Sequence, residues 1–222
     1  MPGSGCASIS STEVRTIADT FGETFAGGKV ELLRKTDGSK AALLAAAPRA
    51  TFVHLATHGY FAPESTKSVT DAPARRHAFG EGAITGLSPL ALCGLAFSGA
   101  NLPPDDQGRK AGILTAEEIL WLDLSHCHLV TVSACDSSLG VRRAGQGYAS
   151  LRAALQGAGA RHVLTSLWKV GDEQTMELMV DFYRRLWVEK KAPHAALWEA
   201  KMAARKKGAA FRDWAGWVLT GR

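Results

Sequence analysis

Two residues in this 222-residue sequence have the chemistry to break an amide bond together: His58 and Cys135. Each closes an apolar run, His58 in "TFVHLATHGYF" and Cys135 in "HLVTVSACDSSLG". A thiol attacks well only once it loses its proton, and a nearby imidazole can take that proton or stabilise the thiolate. The oxyanion formed on the attacked carbonyl needs backbone donors. Gly59 N–H and Cys135 N–H are the candidates, and the glycine lets a substrate approach closely. His58 would then protonate the leaving amine. Taken singly, such a histidine is more often structural and such a cysteine a small buried hydrophobe. The catalytic reading requires the two runs to be neighbouring strands facing one crevice.

The elements around them follow a regular alternation. Residues 12–25 place Val14, Ile17, Ala18 and Phe21 on one helical face. "KVELLR" (29–34) is a strand candidate, and a second helix follows Ser39 and stops at Pro48. Thr51–Thr57 is almost continuously apolar, as in a parallel strand covered on both faces. Residues 62–111 hold five of the eight prolines and read as long excursions, with "LALCGLAFSG" (90–99) a short hairpin strand inside them. "TAEEILWLDL" is a helix whose Thr115 and Glu118 form a capping box. Strands at 128–135 and 161–168, helices between and after them, and a closing strand in "WAGWVLTG" complete the series. This is an α/β chain with a mostly parallel sheet and helices on both faces. Ligands in such sheets bind beyond the carboxyl ends of the strands, where His58 and Cys135 would stand.

Composition excludes several classes. With 46% hydrophobic and 21% charged residues the chain is an ordinary globular one, long enough to bury a sizeable core. It carries no apolar run of bilayer length and its N-terminus does not resemble a secretory signal, so a cytoplasmic setting and no membrane partner are expected. The net charge of +5 comes partly from "YRRLWVEKK" and "KMAARKK". These read as solvated helix faces, and direct nucleic-acid binding is not expected. The four cysteines form no CxxC pair, and His126, Cys127 and His128 diverge as strand neighbours, so no metal or other cofactor is expected. His54 lies four residues before His58 without the helical Glu-containing motif of zinc proteases. Cys93 and Cys127 read as packing residues and Cys6 as a surface thiol.

"HLATHG", then "SACDSSLG" with its cysteine 77 residues beyond the histidine (135 − 58), then "GARHVLTSLWKVGDEQT", resemble the CHAT domains, relatives of caspases and separase. "LALCGLAFSGAN", "GILTAEEILWLDL", "AGQGYASL" and "WAGWVLTG" extend the resemblance over nearly the whole chain, so residues 1–222 read as one domain with the 62–111 excursion inside it. The resemblance implies a caspase-like fold and a cysteine endopeptidase whose dyad maps onto His58 and Cys135. It implies a protein or peptide substrate, and an upstream helical-repeat (TPR-like) domain or other regulatory partner. Where the family often has Glu-Thr after the cysteine, Asp136 and Ser137 stand here, keeping an acid and a hydroxyl. The family's first, central strand precedes the segment at which this chain begins, so the sheet is expected to lack it and the chain to be the C-terminal part of a longer one. In caspase-like enzymes the region of Trp168 and Asp172 borders the substrate pocket, and an acid there would favour Arg or Lys before the cut. Asp172 reads first as a helix cap, a role compatible with the pocket, and Trp168 either lines the pocket or packs. With Asp136 they are the substrate-binding candidates. The alternative to a peptidase is a CHAT-like interaction or signalling module with little turnover.

Overall fold

A computed structural model describes residues 6–61, 90–106, 110–133 and 144–221. The chain opens with helix α1 (Cys6–Thr24), longer than the 12–25 segment that its periodicity suggests. Ser39 caps α2 (Lys40–Ala46) by accepting a hydrogen bond from the amide of Ala42, 3.2 Å away. Strand β1 (Phe52–Leu55) leads within two residues into β2 (His58–Phe61). Strands β3 (Cys93–Ala96) and β4 (Ile113–Thr115) precede α3 (Ala116–Ile119), whose Thr115–Glu118 capping box is present. There follow β5 (Leu129–Val132), α4 (Ala144–Gly157), β6 (His162–Ser166), α5 (Asp172–Tyr183), α6 (Pro193–Lys206), α7 (Phe211–Trp214) and β7 (Trp217–Gly221).

Among the described residues the strands form two sheets. The larger has the order β1-β5-β6-β7, with β1, β5 and β6 parallel and β7 antiparallel. The smaller is antiparallel, in the order β2-β3-β4. Alternation along the strands of the larger sheet supplies two cores. Val53, Val130, Val132 and Val163 pack with α2, α3 and α4 on one face. Leu129 and Leu164 pack with α1, α5 and α6 on the other. There Trp187, in a π-helical turn that extends α5, gathers Phe21, Phe52 and Tyr183 at ring-centroid distances of 5.2, 5.4 and 4.3 Å.

Two expectations need correction. The strand expected over 29–34 is absent: those residues lie outside any strand, and Val30 and Leu32 are exposed. A strand is a pairing state, and no described strand lies beside this segment. The run Thr51–Thr57 is also not one strand ending at the histidine. It leaves the main sheet after Leu55, and His58 opens β2 of the second sheet instead. The Thr57 hydroxyl bonds the Ala96 carbonyl and His58 pairs with Ala96, so β3 captures the chain at this bend. β1 is an outer strand of its sheet among the described residues. Thr51 and Leu55 direct their carbonyls to β5, accepting from His128 and Ser133 at 2.7 and 3.0 Å. The backbone groups of Phe52 and His54 therefore point the other way.

Candidate functional site

The carboxyl ends of β1, β5 and β6 form one edge of the larger sheet. β1 and β5 are direct parallel neighbours, in register from Phe52↔Leu129 to Leu55↔Val132. Every β5 partner therefore lies 77 residues beyond its β1 partner (132 − 55). His58 is exposed, three residues past Leu55, and Gly59 is half-buried in the β2–β3 ladder opposite Leu95. Among the described residues β2 is an outer strand of its small sheet, so alternate amides of His58–Phe61 face away from β3. Cys135 and Asp136 lie outside the described residues. Ser133, two residues before Cys135, is buried at the end of β5.

Cys93 and Cys127 are poor nucleophiles. Both are buried thiols outside any disulfide, and burial pushes each up to about 11. A thiol held neutral in the core attacks slowly. His126 and His128 are exposed on either side of buried Cys127, so the three diverge. Among the described residues no group of three or more His, Cys, Asp or Glu side chains is placed to hold a metal ion.

Trp168 follows β6 at the same edge. Its indole Nε1 donates to the Arg212 carbonyl at 2.7 Å, and its ring stacks on Phe211 with centroids 6.5 Å apart. It also covers Gly216 so closely that a Cβ there would stand 2.6 Å from its ring. Trp168 thus packs, and its stack with exposed Phe211 builds an aromatic wall beside the strand ends. Asp172 is half-buried in the first turn of α5, where its negative charge suits the helix dipole. It is not the cap: Gly171 occupies that position and no side chain caps the helix. A separate groove, lined by Glu177 and Asp181 of α5, Lys207 after α6 and Asp213 of α7, is formed without the strand ends.

One buried contact has no counterpart in the motif reading. His54 Nε2 lies 3.0 Å from a carboxylate oxygen of Glu13 on α1, and 3.3 Å from Ser133 Oγ. Its Nδ1 lies 3.1 Å from the Tyr183 hydroxyl, which donates to Thr131 at 2.7 Å. Burial, and secondarily the nearby Glu13 charge, raise the Tyr183 phenol and keep it neutral; the bond to Thr131 works against this. The available signal was a carboxylate at position 13, four residues before Ile17 and so on the apolar stripe of α1.

A family model for the CHAT domain matches residues 7–222. The chain belongs to the CHAT family. No curated protein matches this CHAT domain. CHAT domains are a caspase-like, peptidase-related family, which bears out the resemblance carried by "HLATHG" and "SACDSSLG". No helix among the described residues of this CHAT domain is long and apolar enough to cross a membrane.

Proposed function

We propose that this CHAT domain is a cysteine endopeptidase with Cys135 as nucleophile and His58 as acid and base. The observation that carries the reading is the β1–β5 register. Its offset of 77 residues equals the separation of His58 and Cys135, and the two strands are parallel neighbours. Parallel strands in register end side by side, so β1 at Leu55 and β5 at Val132 end at one edge of the sheet. The exposure of His58 supports access to a substrate, and the buried, neutral states of Cys93 and Cys127 remove them as competitors.

The reaction follows from these groups. The Cys135 sulfur attacks the peptide carbonyl carbon, its proton passing to His58. The oxyanion is held by the amides of Gly59 and Cys135. The carbon–nitrogen bond breaks as His58 returns the proton to the leaving amine, which leaves a thioester. Water, deprotonated by His58, hydrolyses it. Trp168 with Phe211, Asp136 and the acid of Asp172 are the groups we assign to substrate binding. Asp172 would favour an Arg or Lys side chain before the cut. A TPR-like helical-repeat domain is the regulatory partner we assign.

A peptidyl acyloxymethyl ketone tests the reading. Modification of Cys135 that is lost in His58→Ala is the expected result. A folded protein that is not labelled would overturn it and leave an interaction module as the reading.

A further inference from the structure

Lys201 of α6 is half-buried, and burial lowers its ammonium from the ordinary 10.5. Among the described residues its partners are two carbonyl oxygens, that of Ala215 at 3.0 Å and that of Trp217 at 2.9 Å. The basic residues Arg185 and Lys191, by contrast, both reach the Glu199 carboxylate. Taking an ammonium out of water without a counter-charge is costly, and a methionine of similar length would fill the same place at less cost. What the ammonium adds is two charge-assisted bonds to the carbonyls on either side of Gly216.

The carbonyl between them is held by a different neighbour. Gly216 accepts from the amide of Leu167, the residue after β6, at 2.9 Å. The same glycine lies against the Trp168 ring, where a Cβ would stand 2.6 Å away. Trp168 in turn donates to the Arg212 carbonyl at 2.7 Å and stacks on the exposed ring of Phe211. Lys201 thus fastens one end of residues 211–217, and the other end carries Phe211 and holds Trp168. The helix in that segment, α7, has four residues and little stability of its own, so its place depends on such attachments. We propose that Lys201 is a positioning residue that fixes the Trp168–Phe211 wall beside the strand ends and so sets the affinity for substrate. This rests on the peptidase reading, and on the substrate-binding role given to that wall, above.

The test uses the full chain as wild type, Lys201→Met, Lys201→Arg, Phe211→Ala and the Lys201→Met, Phe211→Ala double variant. Amide hydrogen exchange and peptide cleavage are the readouts. Methionine keeps the apolar stem and removes the donors, arginine restores them, and Lys201→Gln replaces the methionine variant should that one not fold. We expect the amides of Leu167 and of residues 213–217 to exchange about tenfold faster in Lys201→Met, with α4 and β5 unchanged. Lys201→Arg should stay near wild type. We expect KM to rise roughly fivefold in Lys201→Met with kcat within about twofold, because ground state and transition state lose the same contact. KM in the double variant should rise no further than in Phe211→Ala, since both changes act through one wall. Unchanged exchange at Leu167, exchange quickened equally through α6, β6 and β7, or KM effects that simply multiply would overturn the proposal. A wild type that neither cleaves nor reacts with the ketone sinks the peptidase reading and the positioning role together. Unaltered exchange in an active enzyme sinks the positioning role alone.

Discussion

Glu13 and His54, 41 residues apart in the sequence, meet at 3.0 Å between helix α1 and strand β1, with their side chains 4% and 11% exposed. Deleting one partner leaves the other buried without its bond. Glu13→Ala should therefore cost about 1–3 kcal/mol, read as a lower urea midpoint. A cost near zero would mean that α1 is held by its apolar contacts alone.

The aromatic cluster makes a second, larger prediction. Trp187 is 5% exposed and lies within 5.4 Å, centroid to centroid, of Phe21, Phe52 and Tyr183. Trp187→Ala should lower stability by about 3–5 kcal/mol, because the rings around it cannot all close the space. Trp187→Phe should recover a large part of that loss in the same denaturation experiment.

Gly94 tests the sheet that carries His58. A Cβ at this position would stand 2.1 Å from the Leu114 carbonyl oxygen and 2.7 Å from Thr115 Cα. Both are backbone atoms of β4 and cannot swing aside. Gly94→Ala should separate β3 from β4 and cost roughly 3 kcal/mol or more, with faster amide exchange across β2–β4. Unchanged exchange there would show that the two strands tolerate more separation than this spacing allows.

At the opposite end of the sheet, His162 governs a pH dependence. Burial first, then the charges of His194, Arg161 and His128, lower it from its ordinary 6.5, and its Nδ1 has no hydrogen-bond partner. The unfolded chain therefore takes up this proton at a higher pH than the folded one. Stability is full above about 6.5 and declines as pH falls toward the depressed folded value. Urea unfolding at about pH 8 and about pH 5.5 should show a loss that shrinks in His162→Gln. An equal loss in both proteins would assign it to other groups.

Much of this was legible in local sequence. The Thr115–Glu118 box, the Ser39 cap and the apolar runs at 52–55, 129–132 and 162–166 are short-range features, each visible within a few residues. Among the motifs, "HLATHG" marked the β1 exit and "SACDSSLG" the β5 exit, and the strands that carry them are neighbours. Illegible were the bend that hands His58 to β3 and the failure of 29–34 to form a strand. Both depend on a partner being present or absent beside the segment, and no run of residues encodes its own neighbour.

By itself, then, the sequence determined the α/β alternation, the family and the residue types at each strand exit, because periodicity and capping act over a turn or a pleat. Tertiary structure alone decided that β1 registers with β5 at the His58–Cys135 spacing, and that a carboxylate from the first helix finds His54. Those facts arise from packing between distant segments, where burial makes an unpartnered polar group too costly to leave alone.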